Sequence, residues 1–242
     1  MNVGKVGQVL INNTLTNAKK ATSNATFNIK SLLNIQPSEI KAGKNLGDVF
    51  FKTQSMDGKI LKTPVQVSVE FTKKPDGGVF KLFDSNDEYV GKGWFGILGR
   101  KNKNEFGKFV SESYPKLGLT GNRIYVKYLE NAQPEKYSGV AGLLEKIIVE
   151  YCLRKNLNPK IVFNAGYNSH AAHFLRGARF LPFKTKEGIS IDINKLVKNI
   201  IDLTPSGSKC RTEGIGLVPA YLPKEKIQEY ISQILEKPVL KM

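Results

Sequence analysis

From residue 49 onward the chain alternates apolar and polar positions with a period of two. Val49-Phe50-Phe51, Val65 to Phe71 (Val65, Val67, Val69 and Phe71 on one side), Val79 to Phe83 and Tyr89 to Leu98 read as successive strands. Pro75-Asp76-Gly77-Gly78 and Asp84-Ser85-Asn86-Asp87 separate them, and these residues supply positive φ or local side-chain hydrogen bonds, so the strands join as an antiparallel meander. Residues 99–122 are polar and basic around a short apolar piece, Phe106 to Leu119, and read as a loop with one helical turn. Alternation returns at Arg123 to Leu129 with both faces apolar, which suits an interior strand.

The period then becomes helical. Val140, Leu144, Ile147, Ile148, Tyr151 and Cys152 fall three and four apart, predicting a helix of about four turns that ends near Asn156, ahead of Pro159. Lys160 to Ala165 is a compact strand, and Asn168 to Ala178 a second helix with Asn168 as its N-cap. Asp192 to Leu203 and Lys224 to Glu236 are two further amphipathic helices, the last opened by Pro223, whose missing amide hydrogen costs nothing at that position. Residues 1–45 offer too little apolar surface to offset the entropy of ordering them and read as a flexible tail. The fold class expected is α/β, a mixed, mostly antiparallel sheet flanked by helices. The expected organisation is a tail (1–45), a main domain (46–185) and a helical extension (186–242).

Composition narrows the function classes. Among the 242 residues, 40% hydrophobic and 24% charged, no apolar run approaches the ~18 residues of a membrane-spanning helix, so no membrane partner is expected. The opening MNVGKVGQVLINN does not read as a secretory signal, and two cysteines build no disulfide framework, so a reducing, cytoplasmic setting is expected. A net charge of +16, from 37 Lys and Arg against 21 Asp and Glu, favours an anionic partner: nucleic acid, anionic lipid or a phosphate-bearing small molecule. Lysine and asparagine abundance also follows from an AT-rich genome, so charge alone does not choose between them.

The most informative stretch lies between the strand at 123–129 and its helix: Lys136-Tyr137-Ser138-Gly139-Val140-Ala141-Gly142-Leu143. A helix N-terminus exposes backbone N–H groups and about half a positive charge, and small residues let a phosphate approach them. Glycine there also serves plain helix-to-sheet packing. Lys136-x-x-Gly139-x-Ala141, followed by Asn168-x-x-Ala171-x-x-Phe174 and Phe180, resembles the Q/R-x-x-G-x-G/A and N-x-x-A-x-x-L/F signatures of the GNAT superfamily of acetyl-CoA-dependent N-acyltransferases. The resemblance covers residues 123–183 and extends to the hairpin from Val79 to Leu98.

What it implies is a GNAT-like fold that uses acetyl-CoA as acyl donor, without a metal, and transfers the acyl group to an amine acceptor of unknown identity. Lys136, Ser138, Gly139, Val140, Ala141, Gly142 and Leu143 would hold the CoA pyrophosphate. Asn168 would face the cofactor arm, and pantetheine would lie between the 123–129 and 160–165 strands. The chain departs from the family at Leu175, where a general-acid Tyr is usual, at Arg179, where Gly is usual, and in a 71–79 connection too short for the family's two helices. Glu130, at a strand end, is the candidate base. Tyr167 is the candidate phenol near the position that Leu175 vacates. His170 and His173 are three apart with no further ligands in view and read as surface residues; Cys152 reads as a buried, inert thiol. The alternative to an enzyme is a non-catalytic basic module, built on the same scaffold, that binds nucleic acid or the ribosome.

Overall fold

The computed structural model describes residues 49–55, 59–98, 123–166, 169–184, 188–205 and 210–240. The expected tail, the basic loop after residue 98, Tyr167 and Asn168 lie outside them. The described residues form two compact units of mixed α/β structure, one within 49–97, 127–159 and 228–240, the other comprising 98, 123–126 and 160–227. No helix among them is long and apolar enough to cross a membrane.

In the first unit β1 (Val49–Gln54) and β2 (Ile60–Val65) form an antiparallel hairpin, with Val49 opposite Val65. The meander follows as β3 (Ser68–Lys74), β4 (Gly77–Phe83) and β5 (Tyr89–Leu98), which borders β6 (Arg123–Asn131). Both turns behave as their residues dictate. Pro75 and Asp76 make a two-residue connection, and a Cβ on Gly77 would lie 2.1 Å from the Phe95 carbonyl, so no side chain fits there. Asp84 Oδ1 accepts from the amides of Asn86 and Glu88, both at 2.9 Å, which closes the second turn. The single strand expected over Val65 to Phe71 is instead two: Val65 pairs with Val49 and Ser68 with Phe83, so the chain changes partners at Gln66-Val67. Unbroken alternation carries no mark of such an exchange.

The helix α1 (Val140–Arg154) lies on the inner face of these strands. Phe71, Phe80, Phe95 and Tyr151 stack and tilt with centroids 4.8 to 5.8 Å apart, a cluster in which each buried ring contributes roughly 1.5–3 kcal/mol. The polar side of α1 is buried too, contrary to the one-sided stripe read from sequence. Glu150 Oε2 accepts from the amides of Val239 (2.6 Å) and Leu240 (3.0 Å), Arg154 Nε donates to Glu150 Oε1 (2.9 Å), and Tyr230 donates to Glu145 (3.0 Å). The C-terminal segment is thus fastened by buried charges, since backbone amides and a guanidinium satisfy a carboxylate that water no longer reaches.

In the second unit the start of β6 pairs in parallel with β8 (Ile161–Ala165) over three residues, from Ile124 opposite Ile161 to Val126 opposite Phe163. Pairing with β8 ends there, while β6 continues to Asn131. On the other side of β8 lies β12 (Val218–Tyr221) and then β9 (Arg179–Phe180), both ladders antiparallel. Pro219 argues against an interior strand by sequence, yet its carbonyl accepts from Leu181 and its position opposes Asn164. The helix α2 (His170–Leu175) is shorter than the expected 168–178. Gly177, at φ +97°, donates to Phe174, and Ala178 donates to His173, which closes the helix with a left-handed glycine. A short pair, β10 (Phe183–Lys184) and β11 (Ser190–Ile191), precedes α3 (Ile193–Leu203), capped by the Asp192 side chain accepting from the Lys195 amide. The last helix is α4 (Lys224–Glu236).

Candidate anion site at the start of the central helix

After β6 the chain makes a tight connection that Asn131 and Gln133 pin. Asn131 donates to the Tyr137 carbonyl (2.9 Å) and accepts from the Gln133 amide (3.1 Å), while Gln133 Nε2 donates to the Tyr89 carbonyl (2.9 Å). The two-residue strand β7 (Tyr137–Ser138) then pairs with β1, Phe51 opposite Tyr137 and Phe50 opposite Ser138. Tyr137 is buried, and its hydroxyl donates to Asp84 Oδ2 at 2.7 Å. Burial alone would push the Asp84 carboxyl upward, but the Tyr137 hydroxyl, the Glu88 and Asn86 amides and the Lys136 charge outweigh it and hold the group below its ordinary value. These contacts fix where the helix begins.

It begins at Gly139, the N-cap, in the left-handed region at φ +85°, ψ −15°. A Cβ in that conformation costs roughly 1 kcal/mol or more, so glycine is required by the turn itself. No side chain caps the helix, and its first turn holds no acidic residue, although such residues are favoured there. The Leu143 amide donates to the Gly139 carbonyl at 3.0 Å, the first bond of the helical ladder. That leaves the amides of Val140, Ala141 and Gly142 with no intrahelical acceptor. Gly139 is exposed, Ala141 and Gly142 are half-buried, and Ser138 Oγ is buried without a hydrogen-bond partner. A Cβ on Gly91 would lie 2.9 Å from Val140 Cγ1, so glycine in β5 is what lets the helix start press against the sheet. The arrangement is three oriented donors and a helix dipole, among small residues at 139, 141 and 142.

The residues singled out by sequence fall differently around this point. Gly139, Val140, Ala141 and Gly142 make up the helix start, and Ser138 precedes it at the end of β7. Leu143 has its amide inside the helix and its side chain in the core. Lys136 is turned to Glu88, with which it forms an ion pair, and lies 5.1 Å from the Tyr137 ring; the Glu88 carboxylate holds its ammonium above the ordinary range. Glu130 accepts from the Tyr89 phenol at 2.6 Å and pairs with Lys92 at 3.3 Å. Burial first, and the Glu130 carboxylate second, push the Tyr89 phenol up. Asn131 and Gln133 carry no sequence signal of this role, because nothing in a lone Asn and Gln distinguishes a backbone clamp from loop polarity.

Elsewhere the histidines differ from the surface residues expected. His170 is fully buried with Nδ1 3.2 Å from Thr212 Oγ1, and His173 lies against Phe163 with Nδ1 2.7 Å from Arg176. Desolvation, then the Arg176 charge, lowers His173 to about 3. No group of three His, Cys, Asp or Glu among the described residues could hold a metal. Burial pushes the Cys152 thiol up, in keeping with an inert core residue. Leu175 is 71% exposed.

No family model matches the chain, and no curated protein matches it. Among solved structures it is similar to the crystal structure of nourseothricin acetyltransferase, with 14% identity over 84% of this chain and 96% of that chain and a TM-score of 0.35. A similarity of that size transfers no residue role, and the site stands on its own geometry.

Proposed function

We propose that this protein is an acyl-CoA-dependent N-acyltransferase in which the start of α1 receives the CoA diphosphate. The observation that carries the reading is the uncapped helix start. Three amides without intrahelical acceptors follow a left-handed glycine, the first turn holds no acid, and the residue before that glycine, Ser138, has its Oγ buried without a partner. A doubly charged diphosphate suits such donors, because the half-charge of the helix and the charge-assisted hydrogen bonds act in the same direction. The GNAT-like spacing Lys136-x-x-Gly139-x-Ala141 supports the same group, with Lys136 now assigned to Glu88 rather than to the ligand.

When bound, acetyl-CoA supplies an acyl thioester, the electrophile for amine attack. The chain offers Glu130, a carboxylate held by Tyr89 and Lys92, as the group that would accept a proton directly or through water. With Leu175 where the family carries its acid, the chain would offer no acid at that position to the leaving thiolate. Calorimetric titration tests the reading. Acetyl-CoA and CoA bind and pantetheine, which lacks the diphosphate, does not. Absence of heat up to millimolar acetyl-CoA overturns it.

A further inference from the structure

The outer face of the meander in the first unit touches the acyl-transfer reading only at Lys92, the partner of Glu130. Alternation sends Phe80, Leu82 and Phe95 inward and leaves Lys81, Lys92 and Trp94 outward. Cross-strand register sets Thr72, Val79 and Trp94 in one row and Glu70, Lys81 and Lys92 in the next. Trp94, the sole tryptophan of the chain, is 40% exposed, and Tyr128 on the neighbouring strand is 48% exposed. Lysine ammonium groups lie over one face of each ring, Lys127 at 4.8 Å from Trp94 and Lys92 at 5.5 Å from Tyr128, so both rings sit among cations. An open depression of about 390 Å³ is lined by Thr72, Lys74, Val79, Lys81, Lys92 and Trp94. Lys92 and Lys127 are paired with Glu130 and Asp76, but Lys74 and Lys81 are exposed with no carboxylate at ion-pair distance among the described residues.

We infer that this sheet face binds single-stranded nucleic acid, with Trp94 and Tyr128 as stacking platforms for bases and Lys74 and Lys81 on the phosphates. Two exposed aromatic rings are apolar surface left in water, and flanking them with unpaired cations matches a ligand whose planar groups alternate with negative charges. A duplex does not satisfy the face, because its bases are already stacked. Contacts to phosphates and to base faces read no base-edge pattern, so the binding is indifferent to sequence. The net charge of +16 adds long-range attraction for the same ligand. The inference does not rest on the acyl-transfer reading, whose donors lie at the start of α1 and which shares with this face only Lys92.

The test uses the full chain and a labelled single-stranded RNA of about 12 nucleotides, a length that one such platform covers. Anisotropy is read at about 50 and about 200 mM salt, together with Trp94 fluorescence. The RNA quenches Trp94 and binds in a salt-dependent manner. The variant K74E/K81E, with both positions on the surface, loses at least about tenfold in affinity and about 1.4 from the log–log salt slope. Trp94→Ala loses roughly five- to a hundredfold, and Lys195→Glu on the exposed side of α3 loses far less than either. Any of four results overturns the inference: no binding at low salt, binding without quenching of Trp94, equal affinity for a duplex or a mononucleotide, or an equal loss in Lys195→Glu.

Discussion

Replacing Ala141 by Glu sets helix stability against ligand binding. Ala141 is the second residue of α1, half-buried, in a first turn with no acid. A carboxylate there faces the positive end of the helix and stabilises the fold by about 0.3–1 kcal/mol. It also stands where a diphosphate would sit. Two unit charges about 6 Å apart at an effective dielectric of ~20 repel by about 3 kcal/mol, which is roughly a hundredfold in Kd, and more for a dianion. Thermal unfolding followed by circular dichroism gives the first quantity and calorimetry with CoA the second. The expected variant is at least as stable as the parent and binds CoA at least about a hundredfold more weakly, with the deficit shrinking in high salt. Unchanged affinity refutes the anion site. Weaker binding accompanied by a lower Tm assigns the loss to a damaged fold and refutes the electrostatic reasoning. Ala141 serves better than Gly139, where any side chain is strained by φ +85° whatever the ligand.

Three further outcomes follow from the same geometry. Ser138→Ala leaves stability unchanged or slightly raised, because it removes a buried hydroxyl that has no partner, and weakens CoA binding by about two- to tenfold, read by chemical denaturation and calorimetry. Glu150→Gln leaves the buried Arg154 without its counter-charge and weakens the contacts that hold Val239 and Leu240, costing about 3–5 kcal/mol in urea unfolding. His173 is lowered from 6.5 to about 3 mainly by desolvation, so between those values the unfolded chain binds more protons than the folded one. Its contribution is therefore intact above pH 6.5 and lost as pH falls toward 3, at up to about 1.4 kcal/mol per pH unit, and the difference in stability between the parent and His173→Asn shrinks over that window.

Local chemistry was legible in the sequence where it acts at short range. The turn at Pro75-Asp76, the Asp84 turn and the helices beginning at Val140, Ile193 and Lys224 lie where their residues placed them, because each is decided within a few positions by φ preference, side-chain capping or 3.6-residue spacing. What escaped depends on partners far along the chain. The break at Gln66-Val67 reflects an exchange of β1 for β4 as neighbour, the strand with Pro219 is permitted by the carbonyl rather than the amide, and the charged side of α1 is buried by residues 230 to 240. At the site, small residues at 139, 141 and 142 were visible. The pins Asn131, Gln133 and Asp84 and the diversion of Lys136 to Glu88 were not, since each is a contact between segments that the sequence separates.

Amide resonances of the isotopically labelled full chain, followed during a titration with CoA, interrogate the helix start residue by residue. The account predicts saturable downfield shifts at Val140, Ala141 and Gly142, whose N–H groups acquire an acceptor, and little change at Leu143, whose N–H already donates to Gly139. CoA that binds without moving those three resonances, or that fails to bind at millimolar concentration, contradicts it.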